Sequence, residues 1–445
     1  MKFLHKTVKT LIIAGIVAAL IIIGTPAVAR VQEHHKREQP SHQMLNDSPS
    51  IAPPAFYRHE VIHTDYSAGG QMNGLRPISR KITVKGATVR KNVVDLTLEE
   101  KHAFVNALLT LKNTVPKGSK LSIYDQFVAV HVGAMGLMSN YARGPAAGHD
   151  GAHESSILLP WHREFISRFE EALQSVDPNV TLPYWDWTDP KALQIIFHNN
   201  FLGPNGQGVA INISGVGSFE GGPVLSSPFS QVSGWILNPD LHINPSGESM
   251  GTSLLRFLQL PPVNSYPIPK ADVEQILAVD DYDTFRKALE GFGKLDSRGQ
   301  LKNPGVFMHN YIHGMVGGAT FDPTIGQPDP LGTMASLSSS LNDPVFWLVH
   351  SNVDRLWAEW QQDGHAGSNY YPAKGGHYGE NLNDRMWPWD GGESTPVNQG
   401  AGDLQSLLPG YAPDDTVTPA DTLDFRKYGY TYDTLSVPVR KKPFA

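Results

Sequence analysis

The sequence predicts a mainly α-helical protein with long loops and few, short strands. Several stretches repeat apolar residues at the three- and four-residue spacing of amphipathic helices. Glycine and proline concentrate between these stretches, notably at 202–234 and 240–252, where we expect loops. Strand-like patterns are short, and the run KITVKGATV at 81–89 predicts one or two strands. The 445 residues are enough to bury a large core.

The first predicted helix begins at a capping box. Thr97 is followed three residues later by Glu100, a pattern in which the two side chains satisfy free backbone N–H groups at a helix start. Helical periodicity then continues through LEEKHAFVNALLTLK. The further helices are predicted at 121–138, 161–175, 271–278, 282–292, 304–315 and 343–362. Residues 363–445 are rich in Gly, Pro, Asp and Tyr, and we expect an irregular wrap there.

The N-terminus has the organisation of an export signal. Lysines in MKFLHKTVKT precede the apolar run LIIAGIVAALIII, and the small residues AVA follow it. This order predicts a signal peptide at 1–29 and a secreted or extracytoplasmic protein, with an uncleaved membrane anchor as the alternative. Beyond it we expect a linker and N-terminal extension at 30–88, one large folded domain at 89–435 and a short tail at 436–445.

Charge and cysteine content exclude several classes of function. The formal net charge of −7 argues against nucleic acid as a partner, because a duplex-binding protein needs a basic surface. The chain has no cysteine, so it cannot form disulfides or thiolate-ligated metal sites. Any transition metal must therefore be held by histidine and carboxylate.

Two histidines in MHNYIHGMVGG, His309 and His313, are four residues apart and would lie on one face of a helix. A zinc protease would need a glutamate after the first histidine, where this chain has Asn310. A di-iron bundle would need Glu-x-x-His pairs on facing helices. Ligands that are rich in imidazole and poor in carboxylate favour copper instead.

Six histidines form two groups of candidate metal ligands. A single histidine in an apolar helix is more often a core residue than a ligand, but two groups of three favour two adjacent metal ions. The first group is His131, His153 and His162, and the second is His309, His313 and His350.

Seven stretches that follow one another in order resemble the tyrosinase family of dinuclear (type 3) copper proteins, especially its cysteine-free bacterial members. They are YDQFVAVH, HESSILLPWHREF, LPYWDW, FRKALEGF, MHNYIHGMVGG, NDPVFWLVHSNVDRLWAEWQ and TPADTLDFRKYGYTYD. The resemblance implies a four-helix bundle core in which each group of three histidines holds one of two copper ions. His149 is an alternative to His153 in the first group, and the spacing to His162 favours His153.

The resemblance also implies an activity. Enzymes of this family use O2 to hydroxylate phenols at the ortho position and to oxidise o-diphenols to o-quinones. We therefore expect a secreted phenol oxidase with small phenolic or catecholic substrates, O2 as co-substrate and a copper-delivery protein as a further partner. A catechol or o-aminophenol oxidase without useful hydroxylation remains an alternative. A haemocyanin-like O2 carrier is disfavoured, because the molluscan carriers have a thioether-linked cysteine.

Residues near the histidines take their expected roles from the same resemblance. Asn310 and Glu290 are expected to hold a water that deprotonates the phenol, and the alternative for Glu290 is a position on a helix surface. Asp354 is expected to hydrogen-bond a ligand imidazole, or alternatively to pair with Arg355 or solvent.

The expected substrate pocket is described by four residues. Phe346 would pack beside the copper histidines, and the segment 334–341, which includes Leu337, would wall the entrance. Gly314 would leave that entrance open. Val349 replaces a histidine that commonly precedes the last ligand, so we expect an altered substrate preference.

Overall fold

The computed structural model describes residues 88–322, 327–397, 404–408 and 413–435. The predicted signal or anchor and the short tail lie outside these ranges. The helices are α1 (Leu98–Asn113), α2 (Ile123–Gly136), α3 (Leu158–Val176), α4 (Ala192–Ile196), α5 (Lys270–Leu277), α6 (Tyr282–Glu290), α7 (Met308–Gly317), α8 (Val345–Trp360), α9 (Leu404–Leu407) and α10 (Pro419–Thr422). The strands are β1 (Thr88–Arg90), β2 (Val209–Ile213), β3 (Gly217–Pro223), β4 (Leu255–Arg256), β5 (Gly293–Leu295), β6 (Leu301–Pro304), β7 (Ala319–Asp322), β8 (Gln327–Pro330) and β9 (Tyr430–Tyr432).

The predicted mainly α fold is confirmed. The expected capping box starts α1, with Thr97 and Glu100 exchanging side-chain-to-backbone hydrogen bonds. The long helices coincide with the predicted segments to about one helical turn. No helix in the described part of the chain is both long and apolar enough to cross a bilayer.

Helices α2, α3, α7 and α8 form the bundle at the centre of the domain. Their contact faces are apolar and closely packed: the Trp347 ring lies flat on Phe169 with ring centroids 3.4 Å apart. Trp347 Nε1 donates to the hydroxyl of Tyr124, which donates in turn to the Leu341 carbonyl. Buried aromatic side chains thus fix α2, α3 and α8 against one another. The polar atoms of Trp347 and Tyr124 are both hydrogen-bonded.

The strands form four small sheets around the bundle. β1 pairs in parallel with β9, and β2, β3 and β4 form an antiparallel sheet. β5 pairs with β6, and β7 with β8, as antiparallel hairpins. The β2–β3 hairpin lies within 202–234, which was expected to be a loop. That expectation was wrong because the many glycines and prolines of this segment were given more weight than the short alternation of Val209, Ile211 and Ile213.

Gly291 ends α6 and brings it close to α7. Its φ of 110° lies in the left-handed region that favours glycine. A Cβ at this position would lie 1.9 Å from the carbonyl oxygen of Phe307, the residue that precedes α7. The close approach requires glycine, and it places Glu290 beside the start of the helix that carries His309 and His313.

Candidate metal centre

The bundle brings the six predicted histidines together as two buried triads. In each triad the candidate ligand nitrogens lie within 4.8 Å of one another. The triads meet where the His162 and His350 rings stack, with centroids 4.0 Å apart. Five of the histidines project from the bundle helices and His153 comes from the loop between α2 and α3, as expected. The triads are His131, His153 and His162, and His309, His313 and His350.

Backbone carbonyls orient three of the imidazoles. His131 Nδ1 donates to Ser338 O (3.0 Å), His162 Nδ1 to Leu158 O (2.9 Å) and His313 Nδ1 to Met334 O (2.9 Å). Because a carbonyl can only accept, the proton of each neutral ring lies on Nδ1. Nε2 therefore carries the lone pair that faces the centre of the site.

Side chains orient two further imidazoles. His153 Nδ1 lies 3.2 Å from each oxygen of the Asp150 carboxylate, and His309 Nδ1 lies 3.0 Å from Asn310 Oδ1. His350 Nδ1 is buried and has no hydrogen-bond partner in the described part of the chain. Asp150 was not predicted from the sequence, although an aspartate three residues before a ligand histidine is a signal that could have identified it.

The Nε2 atoms of the triads are placed to bind metal ions. His131 Nε2 and His162 Nε2 are buried without a partner among the described residues. His309 Nε2 lies 3.0 Å from His313 Nε2 and 3.2 Å from His350 Nε2. Lone pairs that face one another cannot satisfy each other, whereas a metal cation satisfies all of them. Buried imidazoles without thiolate suit copper.

Burial keeps the imidazoles ready for a metal. It lowers the pKa of His131 to about 3 and that of His313 to about 4. A neutral ring retains its Nε2 lone pair at physiological pH, so no proton competes with the metal. His153 differs, because the Asp150 carboxylate outweighs burial and raises its pKa.

His149, the alternative to His153, lies outside the triad. Its Nε2 bonds the Tyr378 carbonyl at 3.1 Å, and its ring stacks on His377 with centroids 4.7 Å apart. The structure thus brings His153, and not His149, to His131 and His162.

Asp354 does not meet a ligand imidazole. Its carboxylate accepts from Arg163 Nε (2.5 Å) and from the hydroxyls of Tyr430 (2.5 Å) and Tyr432 (2.6 Å). The alternative pairing with Arg355 is also wrong, because Arg355 bonds Asn352 and Glu359. A guanidinium cation binds a carboxylate more strongly than a neutral imidazole does. The Asp354 carboxylate therefore pairs with Arg163 and not with His350.

Glu290 is buried beside the second triad. Its exposed fraction is 2%, which excludes the alternative of a helix-surface position. Its Oε1 accepts the Glu154 N–H at 2.7 Å, and its Oε2 pairs with Arg286 at 2.6 Å. Burial raises its pKa, although Arg286 acts against that rise.

The residues expected at the pocket are placed as follows. The Phe346 ring lies 4.0 Å from His350 and 5.2 Å from His131, centroid to centroid. The segment 334–341 supplies the carbonyls that bond His131 and His313, so it does border the site, and Leu337 lies in it. Val349 is fully buried. Gly314 is partly exposed, and a Cβ there would lie in ordinary contact with Val263, 3.7 Å away, a neighbour that the sequence did not indicate.

Replacing Gly317 by alanine should destabilise the site, whereas the same change at Gly314 should not. A Cβ at Gly317 would lie 2.1 Å from the Ala335 backbone N, in the turn that supplies the Met334 carbonyl to His313. We expect a loss of about 1–3 kcal/mol in the free energy of unfolding and faster loss of copper to a chelator. Denaturant unfolding and copper analysis of both variants measure this, and equal behaviour of the two would contradict the contact.

Comparisons with known proteins agree with this geometry. Residues 121–363 match the family model described as the common central domain of tyrosinase. A tyrosinase from Streptomyces glaucescens is 36% identical over 353 residues, which cover 78% of this chain and 99% of the relative. Grixazone synthase from Streptomyces griseus is 31% identical over 371 residues, again 78% of this chain and 99% of the relative.

Among solved structures, a polyphenol oxidase from Thermothelomyces thermophila is 21% identical, with 73% of this chain and 88% of that chain covered and a TM-score of 0.46. The family model and the Streptomyces relatives, found in a chain whose two buried histidine triads fit two copper ions, show that the protein is a copper oxidoreductase of the tyrosinase family.

Proposed function

We propose that the protein is a phenol oxidase that hydroxylates monophenols at the ortho position and oxidises o-diphenols to o-quinones with O2. Two copper ions, when bound by the triads, supply the activation of O2 and accept electrons from the catechol. The protein positions the phenol and removes its proton. The signal-like N-terminus supports export as part of this proposal, and N-terminal sequencing of protein recovered outside the cells tests it.

The observation that carries the proposal is the position of Asn310 beside Glu290. Asn310 Oδ1 is engaged by His309 Nδ1, which leaves the amide NH2 to donate elsewhere. Glu290 is the last residue of α6, and the close approach of Gly291 to Phe307 places it beside the start of α7, which carries His309. A water that accepts from Asn310 Nδ2 and donates to a Glu290 oxygen would be placed beside the second triad. This water would take the proton of the phenol. Deprotonation helps the reaction because a phenolate is a stronger nucleophile and a better metal ligand than the neutral phenol.

The alternative is a catechol or o-aminophenol oxidase without useful hydroxylation. One observation favours it: both carboxylate oxygens of Glu290 already accept a short hydrogen bond, from Arg286 and from the Glu154 N–H. This occupancy reduces the basicity that is available to a water. Grixazone synthase is a relative whose name is not tyrosinase, so membership of the family does not fix the reaction. O2 uptake with p-cresol and with 4-methylcatechol decides, since oxidation of the catechol alone would support the alternative.

Replacing Asn310 by leucine should reduce phenol hydroxylation by about 10²-fold, the scale of one positioned proton-transfer group. Catechol oxidation should fall much less, because that step does not need the bound water. Initial rates with p-cresol and 4-methylcatechol, each normalised to copper content, measure the difference.

The variant Asn310→Asp separates the two roles of this side chain. It keeps an oxygen for His309 Nδ1 but lacks the amide that donates to the water. We expect it to retain copper and catechol oxidation, with hydroxylation still impaired. Full recovery of both reactions would show that Asn310 acts only by orienting His309.

A further inference from the structure

The exposure of the histidines shows on which side the site opens. His153 and His313 are 5% and 3% exposed, whereas the other four are at most 1% exposed. Glu154 follows His153 directly and is itself exposed. Its side chain therefore lies on the rim, one residue away from an imidazole of the first triad.

The backbone of Glu154 is held in an unusual conformation. Its φ of 61° lies in the left-handed region, which residues other than glycine rarely adopt. The Glu154 N–H donates to Glu290 Oε1 at 2.7 Å, and this bond stabilises the turn. The turn puts a buried imidazole and an exposed carboxylate on consecutive residues, and the backbone that carries the carboxylate is held by a contact with Glu290.

The Glu154 carboxylate has no ion-pair partner among the described residues. The neighbouring cation is Arg286, whose side chain is 2% exposed and is engaged by Glu290 and Asp283. The neighbouring carboxylate of Asp150 is paired with His153. Glu154 thus places on the rim a carboxylate that forms no ion pair in the described part of the chain.

We propose that Glu154 is a specificity-determining residue that favours phenols and catechols with a positively charged alkylamine substituent over those with a carboxylate. The inference rests on the proposed function, in which the aromatic hydroxyl points towards the histidines. A substituent para to that hydroxyl then points out of the site towards the rim. An ammonium group is attracted by Glu154 there, and a carboxylate is repelled.

The variant Glu154→Gln tests this charge while keeping the size of the side chain. We compare kcat/KM for dopamine, 4-methylcatechol and 3-(3,4-dihydroxyphenyl)propionate. The dopamine to 4-methylcatechol ratio should fall by about two- to fivefold, as for loss of an exposed ion pair, mainly through KM. The propionate to 4-methylcatechol ratio should rise by a similar factor. In the wild type the preference should weaken as salt is added.

Glu99→Gln is the control, because it removes an exposed carboxylate at the start of α1, beside His102 and Glu100 and outside the site. It should leave the substrate ratios unchanged. Calorimetric binding of phenethylamine and 3-phenylpropionate to the copper-loaded protein gives a readout that does not depend on turnover. Ratios and affinities that are the same in Glu154→Gln and wild type would overturn the inference. Absence of oxidation of every catechol would instead refute the proposed function, while the binding data would still report on Glu154.

Discussion

Replacing His153 by glutamine should remove about one copper ion per chain and abolish O2 consumption with every phenol and catechol. His153 is one of three imidazoles in the first triad, and its Nδ1 is fixed by Asp150. Loss of a residue that only orients a ligand already costs about 10- to 100-fold in metal affinity or activity, so loss of the ligand itself should cost more. Elemental analysis of the purified variant and O2-electrode rates measure both effects.

His149 provides the matched control for this experiment. It is a partly buried histidine four residues before His153, but its Nε2 is bonded to the Tyr378 carbonyl. His149→Gln should therefore keep two copper ions and nearly full activity. Loss of copper in His149→Gln, with retention in His153→Gln, would exchange the two assignments and would contradict the geometry of the first triad.

The sequence predicts those parts of the molecule that depend on local signals. The capping box at Thr97 and the apolar periodicity of α2, α3 and α8 are properties of short segments. The structure agrees with both. The six histidines were also found from their local settings and the order of the motifs. His153 could be separated from His149 by its spacing to His162 alone.

The contacts that the sequence did not predict join residues far apart in the chain. Val263 reaches Gly314 from a loop before α5, and Arg90 reaches Asp354 across 264 positions. A local pattern cannot rank such partners. Asp354 lies four residues after His350, and on that spacing a bond between them was a fair expectation. The Asp354 carboxylate pairs with Arg163 and not with His350 because Arg163 carries a positive charge. Since Arg163 lies on another helix, the sequence around Asp354 does not reveal this partner.

Replacing Asp354 by asparagine should destabilise the folded protein by about 3–5 kcal/mol, the usual cost of breaking a buried ion pair on one side. Arg163 is fully buried and pairs with no other carboxylate in the described ranges. The variant therefore leaves the positive charge of Arg163 without a counter-charge. The same carboxylate accepts from Tyr430 and Tyr432, which hold β9 against β1. The change should therefore loosen the C-terminal strand as well as the bundle.

The pH dependence of stability gives this prediction a second readout. Arg163 and Arg90 hold the pKa of Asp354 below its usual range although burial acts in the opposite direction. The contribution of a group whose pKa is lowered on folding is complete above the unfolded pKa of about 3.9 and is lost as pH falls through the folded value. Wild-type stability should thus fall below about pH 4, and Asp354→Asn should lack this part of the fall.

Denaturant unfolding of the copper-loaded protein between pH 3 and pH 7 measures both effects of Asp354→Asn. Glu274→Gln is the control, because it removes one partner of the exposed Lys270–Glu274 pair, and its unfolding midpoint should be close to that of the wild type. Copper retention is expected to fall only in Asp354→Asn. Arg163 directly follows His162 on α3, and Asp354 lies on α8 with His350. The Arg163–Asp354 ion pair therefore joins the two helices whose His162 and His350 rings stack with centroids 4.0 Å apart. Equal stability of Asp354→Asn and wild type would show that the pair does not hold the two triads together.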